Sequence, residues 1–449
     1  MRPNRAAPTF TALLSILAIV TACTNAPTST SPTATSSAAA PSSSAAAASP
    51  SGTQQVVFWQ FSDREAEITA YNALIQKFEA ANPGVKVKME IVPWTEQQEK
   101  LTTALASGGL PDVSMLGNNV VAQYQHIGAL APLDDYVNAE STKRGDDITK
   151  DFWPGDKLYY YLDNHWWGMP VAEDTLGLFY RKDLFASAGL QVPKTWDEFR
   201  AAAQKLTNHG VYGAGLLQSI DYVTLQAFMS VYLSYGARFL NDQGQCGFDT
   251  PEFKQALDYY TKVFKDGFAP PDSATYAFPD MEAQWKAGKL AMFIDSAYLW
   301  ADTNSAAPDV GKNMGVAPVP SGPKGQFAFL GGWPLVLWNT SKVKDAAAAW
   351  IMFATNAENV VELDRAAGQL PGRVSGASLD PWNKEPYTVF LGQMPNAYPY
   401  QYPDPEIPQM GGLEVAAVQT AVQSVALGKA SLDEATKTLC NTINEALSQ

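Results

Sequence analysis

The sequence predicts an α/β protein whose folded body is divided between two domains. Two observations lead there. The stretch from Gln54 to Gln449 is too long to organise around one compact core. Its opening also alternates short apolar runs with amphipathic segments in the order strand, helix, strand, helix, strand, a pattern that predicts parallel strand pairing. A third feature narrows the class: after the N-terminal leader no second long apolar segment occurs, so the body reads as soluble.

The elements follow in chain order. Arg2 and Arg5 precede an apolar run, Leu13 to Val20, that is too short to span a bilayer. Val20-Thr21-Ala22-Cys23 resembles the bacterial lipobox, so residues 1–22 are expected to be a cleaved leader and Cys23 an acylated N-terminus. The alternative is an ordinary secretory leader in which Cys23 has no role. Residues 24–53 are almost wholly Ser, Ala, Thr and Pro and predict a disordered tether. Val56-Val57-Phe58-Trp59 then reads as a buried strand, and Ser62 with Glu65 as a capping box. The helix it opens carries Ile68, Tyr71, Ile75 and Phe78 on one face and stops at Asn82-Pro83-Gly84. Val85 to Val92 alternates as a strand. Thr95 and Gln98 open a helix that runs to Gly108-Gly109, and Pro111-Asp112-Val113 begins another strand.

Later segments repeat this grammar. Thr195 and Glu198 cap a helix with Phe199, Ala202 and Leu206 inward. Thr250-Pro251-Glu252 starts another, Ser341 precedes an alanine-rich helix with Trp350 and Phe353, and Leu432 to Leu447 is amphipathic.

Composition excludes several classes. The formal net charge of −14, or −16 without Arg2 and Arg5, argues against nucleic acid and anionic surfaces as partners. The three histidines, His126, His165 and His209, have no metal-ligand spacing, and no P-loop, H-E-x-x-H or G-x-S-x-G motif occurs. No cofactor or metal is expected. After Cys23 only Cys246 and Cys440 remain; outside the cytoplasm such a pair reads as one disulfide, and otherwise as two buried thiols. Several of the 12 tryptophans lie beside Gly or Pro instead of within helical stripes. Aromatic planes cover the C–H face of a sugar ring while Asp, Asn and Arg bond its hydroxyl rim, so such loop tryptophans suit a sugar cleft; each is equally readable as core.

With these segments in place, the mature chain resembles the solute-binding proteins of carbohydrate ABC importers, family 1, the group that includes maltose-binding protein. The matching stretches run in the family's order: Leu101 to Gly108, Pro111-Asp112-Val113, Gly168-Met169-Pro170, Gly177 to Phe185, Pro193 to Phe199, Gly288 to Met292, Gly331-Gly332, Ser341-Lys342 and Leu370-Pro371-Gly372. The resemblance implies a two-lobed periplasmic-binding-protein-like fold of type II, with mixed sheets flanked by helices and a hinge between lobes, a class known for hinge closure. It implies a first lobe of residues 54–172 plus 334–376 and a second of 173–333 plus 377–449, with Cys246 and Cys440 in the same lobe. It further implies a monomer outside the cytoplasm that binds a mono- to oligosaccharide and delivers it to membrane permease subunits without catalysing a reaction.

Site residues carry over by position. Asp63 and Arg64 open the first helix where the family contacts sugar hydroxyls; Asn118 and Asn119 match a second contact loop. Asp174 matches a carboxylate at the hinge crossing, Asp221 and Tyr222 an acidic and aromatic loop, and Asp295 lies close to Tyr298, which falls at a stacking position that Trp300 could also fill. Leu116, Asn119 and Glu414 depart from the maltose binder, which carries Trp, Asp and Trp there. Trp333 and Arg373 are expected to supply the missing stacking surface and hydroxyl contacts, and Trp94 and Trp285 either line the cleft or pack helices. These departures count against maltose and leave another saccharide. The rivals are a polyamine or glycerophosphodiester bound by the same fold, and a secreted lipoprotein glycosidase.

Overall fold

The computed structural model describes residues 52–401, 407 and 412–448. The leader, Cys23 and the tether up to residue 51 lie outside them; the side chains of Thr95 and Glu414 are likewise outside the described set.

Two sheets organise the body. Nine strands build them: β1 (Gln54–Gln60), β2 (Val85–Ile91), β3 (Val113–Met115), β4 (Met169–Asp174), β5 (Leu176–Arg181), β6 (Met292–Ser296), β7 (Met314–Ala317), β8 (Gly331–Leu337) and β9 (Leu370–Pro371). The larger sheet has the order β9-β4-β8-β3-β1-β2 and the smaller β6-β5-β7. The expected parallel pairing holds for β1 with β2 and with β3, whereas β8 runs antiparallel to both β3 and β4, so the larger sheet is mixed. The chain passes from the larger sheet to the smaller at Asp174-Thr175 and returns at Leu330-Gly331. The Thr175 hydroxyl donates to the Phe329 carbonyl at 2.6 Å, tying the two crossings together.

Gly331 and Gly332 are where that return needs glycine. A Cβ on Gly331 would meet the Phe329 ring at 2.5 Å and Asp174 Cβ at 3.0 Å, while Gly332 has a φ of +144°. Buried apolar faces flank the sheets: Phe58, Tyr71, Phe78 and Trp350 pack as one aromatic group under the larger sheet, with Phe58 5.3 Å from Tyr71 and 5.8 Å from Trp350.

The predicted caps at Thr195/Glu198 and Thr250/Pro251 form, and the helix Leu432–Leu447 has the expected bounds. The box at Ser62/Glu65 does not. Arg64 stays extended (φ −72°, ψ 124°), its amide donates to Ser62 Oγ, and the helix begins at Glu65. Ser341 likewise stands apart from its helix, Lys344–Ala354, and donates to Asp112 Oδ1 at 2.6 Å. Cys246 and Cys440 are disulfide-bonded, joining the segment before the helix Pro251–Lys265 to the last helix. Among the described residues no helix is long and apolar enough to cross a membrane.

Candidate functional site

Side chains from both sheets converge where β4 gives way to β5. Asp174 ends β4, and its Oδ2 accepts a hydrogen bond from Ser296 Oγ at 2.9 Å. Ser296 ends β6; its amide donates to Asp295 Oδ1 at 2.7 Å. Asp295 Oδ2 is buried and has no hydrogen-bond partner in the protein. From the first helix, the extended Arg64 lays its guanidinium 3.5 Å above the centroid of the Tyr298 ring. Tyr298 begins the helix Tyr298–Ala306 and donates its hydroxyl to Glu282 at 2.5 Å. Glu282 lies on the helix Phe278–Lys286, 3.6 Å from Lys286, which also pairs with Asp302 at 2.5 Å.

The electrostatics of this cluster are those of acids packed together out of water. Burial raises the Asp174 carboxyl to about 6, against the lowering pull of the Ser296 hydroxyl and the Arg64 charge. Asp295 is pushed well above the carboxylate range by burial and then by the charge of Glu282. Burial works against the charge of Arg64, but Tyr298, Glu67, Glu282 and Tyr222 outweigh it and hold its pKa above the ordinary value. The arrangement presents acceptors, one cation and an aromatic plane at a single place, a set suited to a polar solute with many hydroxyls.

The remaining predicted residues divide. Asp63 is exposed beside Arg64. Tyr222, 44% exposed, stands edge-on to Phe278 and shares the electrostatic field of Asp174 and Asp295. Trp333 sits opposite Ala172 across β4 and β8, while Gly331 sits opposite Asp174. Residues two apart on a strand share a face, so Trp333 lies on the Asp174 face of the sheet. Its ring is 5.9 Å from Trp94, which in turn lies 5.7 Å from Phe61. Trp300 is half-buried and packs in the smaller sheet's apolar cluster; Trp285 is fully buried, donating Nε1 to Thr303, and packs helices. Asn118 is buried, with Nδ2 3.4 Å from the Leu330 carbonyl at the second crossing, and Asn119 follows half-buried in the same short turn. Glu414 lies outside the described side chains.

One expectation requires correction, that for Arg373, while Asp221 is found engaged in capping. Arg373 does not reach toward the cluster. It is 3% exposed, with its guanidinium donating to the carbonyls of Pro170 (2.9 Å), Gly372 (2.6 Å) and Thr355, so its donors are spent on backbone. Burial lowers its pKa to about 10 while the neighbouring Asp156, Asp151, Asp364 and Glu173 oppose the drop. Asp221 acts as an N-cap: Oδ1 accepts from the Val223 amide at 3.0 Å and Oδ2 from the Phe278 amide at 2.9 Å.

Sequence reasoning missed Ser296 and Glu282. A serine closing an apolar strand and a Glu four residues before a Lys on a helix are both unremarkable patterns, and only the fold places them against Asp174 and Tyr298. Among the described residues no group of three or more His, Cys, Asp or Glu side chains could hold a metal ion.

Comparison with known proteins agrees with this architecture. A solute-binding protein of Thermotoga lettingae, solved with α-D-tagatose, superposes with a TM-score of 0.78 at 26% identity, covering 88% of this chain and 100% of that one. The GacH receptor of Streptomyces glaucescens, solved unliganded and with acarbose, gives 0.77 at 27% identity over 88% of this chain and 99% of that one. A binding protein of Brucella abortus (strain 2308) is 31% identical over 366 residues, 80% of this chain and 85% of the relative. The family model for bacterial extracellular solute-binding proteins matches residues 62–361, and with its two-sheet body this chain belongs to that family.

Proposed function

We propose that this protein is the extracytoplasmic receptor of an ABC-type importer, binding a saccharide or its polyol between the two lobes and delivering it to membrane permease subunits. The observation that carries the reading is the meeting of Arg64 from the first helix with Asp174, Asp295 and Tyr298 at the junction of the two sheets. The solutes bound by the Thermotoga and Streptomyces relatives, tagatose and acarbose, are hydroxyl-rich molecules of this kind. We assign the lobes to residues 54–172 plus 334–376 and 173–333 plus 377–449. Asp63, Arg64, Asn119, Asp174, Tyr222, Asp295, Tyr298 and Trp333 are proposed as the contact set, with Asn118 and Trp300 at its margin, and Glu414 is proposed as a further contact on the resemblance alone. The protein acts as a monomeric binder and not an enzyme, tethered to the outer face of the membrane through an acylated Cys23.

Closure follows from differential affinity: a solute that touches both lobes only when they approach favours the closed form by the energy of the added contacts. Desolvated solute hydroxyls that find no partner are costly, which gives such a site its power to reject an epimer.

A second reading has its own support. Asp174 and Asp295 share the Arg64 guanidinium, and Glu282 beside them is partnered by Lys286, which leaves an excess of one acid that would suit a cationic solute such as a polyamine. A thermal-shift screen against mono-, di- and trisaccharides, alditols and polyamines decides between them. A solute at a hundred times its dissociation constant stabilises by about 2.7 kcal/mol, or ~3 °C in midpoint for a body of this size. A shift from one saccharide, with its epimers silent, supports the receptor reading. A shift from polyamines alone overturns the sugar assignment, and product formation from a disaccharide overturns the non-enzyme assignment.

A further inference from the structure

Ser296 occupies a place that the site's chemistry leaves unexplained. It is 6% exposed, ends the central apolar run of β6, and pairs with Leu176 across β5, two residues beyond Asp174. Its two donors serve two acids. The hydroxyl, which has one hydrogen, gives it to Asp174 Oδ2 on the larger sheet's β4, and the amide gives its hydrogen to Asp295 Oδ1 on its own strand. A side chain that only filled space here would need no hydroxyl. An apolar one would leave Asp174 Oδ2 without this donor and loosen the contact between strands of different sheets.

We propose that Ser296 is a positioning residue for the solute site: its hydroxyl holds Asp174 in orientation and as an ionised acceptor, and its amide fixes Asp295 beside it, so that the two acids, one from each sheet, act on the solute as one unit. This rests on the reading of Asp174 and Asp295 as solute contacts. The groups that face the pair come from four elements. Arg64 reaches it from the start of the first helix, Tyr222 from the helix Tyr222–Tyr235, Glu282 from the helix Phe278–Lys286, and Tyr298 from the helix that follows β6. Arg64 is the only cation among them, so the Ser296 hydrogen bond is one of few features that favour the Asp174 carboxylate. Asp295, raised by burial and then by the charge of Glu282, has its Oδ2 without a partner in the protein, a place from which it can donate to a solute oxygen while Asp174 accepts.

The test reads the acids directly and needs no solute. Carboxyl ¹³C NMR of aspartate-labelled protein, assigned with Asp174→Asn, follows the Asp174 titration, whose midpoint is expected near 6. In Ser296→Ala it should rise by about one pH unit, since a charge-assisted hydrogen bond is lost. Ser296→Thr should restore it, and Ser296→Cys, a weaker donor, should fall between. An Asp174 midpoint within about 0.3 of the wild-type value in Ser296→Ala would overturn the proposal. If Ser296→Ala does not fold, the Thr and Cys variants decide, because equal midpoints in those two would overturn it as well. The titration is readable even if every sugar is silent in the thermal screen, so failure of the saccharide reading and failure of this one are separate results.

Discussion

Replacing Asp174 with Asn should make the protein more stable at neutral pH. Burial between the sheets lifts this carboxyl from the ordinary 3.8 to about 6, so its ionised form is disfavoured in the folded state. A group whose folded pKa exceeds its unfolded one binds more protons when folded. The cost of its charge is therefore absent below about pH 4, grows through the window up to about 6, and is complete above it. The gap between 3.8 and about 6, at 1.36 kcal/mol per pH unit, sets that cost at about 3 kcal/mol. Asp174→Asn keeps the shape, keeps an acceptor for Ser296 Oγ, and removes the charge. At pH 7.5 it should raise the melting midpoint by ~3–4 °C for a body of this length, and at pH 4 by close to nothing. The wild-type protein should itself gain stability between pH 7.5 and 5, because burial also raises Glu67, Glu173, Asp295 and Asp364. Calorimetric melts of both proteins at the two pH values make the measurement. A variant that is less stable at pH 7.5, or whose effect is the same at pH 4, would refute the claim that Asp174 is held as a costly buried acid.

Arg373→Met should destabilise by about 3–5 kcal/mol, because it strips the donors from three carbonyls and the one neighbouring cation from Asp156, Glu173 and Asp364; solute affinity measured by calorimetry should be unchanged wherever the variant is folded. Trp333→Ala should weaken binding of the solute found in the screen by about 2 kcal/mol, ~30-fold, with only a small loss of stability since the ring is half-buried; unchanged affinity would remove Trp333 from the site. Cys246→Ser combined with Cys440→Ser opens a loop of sequence separation 194 and should cost up to about 5 kcal/mol in denaturant melts, leaving the fold of the larger sheet intact.

The opening strands and most helices were legible because their causes are local. Thr195 and Glu198 sit three apart before an apolar stripe, and Thr250 precedes a proline that a first helical turn accepts, so capping and periodicity act on neighbours in the chain. The Ser62/Glu65 box failed for a reason found elsewhere in the fold. Ser62 lies buried and accepts from the Arg64 amide, which holds Arg64 extended so that its side chain crosses to Tyr298, more than two hundred positions away. The antiparallel insertion of β8 between β3 and β4 was equally hidden, since its partners are set by long-range pairing and not by its own alternation.

The same limit explains why the sequence alone did not separate Asp174, at the junction of the sheets, from Arg373, which is turned away from it. Glu173 and Asp174 are adjacent acids on β4, and a strand sends adjacent side chains to opposite faces. Pairing of Asp174 with Gly331, where no side chain intervenes, leaves its face open toward Ser296 and the smaller sheet. Glu173 is thereby turned to the other face, where burial and the nearby Asp156 raise its pKa and where Arg373 supplies the one compensating charge. Arg373 is thus required behind the sheet by the same alternation that puts Asp174 in front of it. Moving β4 by one residue would exchange the two acids, place Glu173 at the junction and leave Asp174 facing Arg373. That register requires glycine at 331, because a side chain there would collide with Phe329 and crowd Asp174. Gly331→Ala should therefore weaken solute binding as strongly as loss of Asp174 itself while lowering stability, where Asp174→Asn raises it at neutral pH, and calorimetry on both variants would separate a register effect from the loss of one contact.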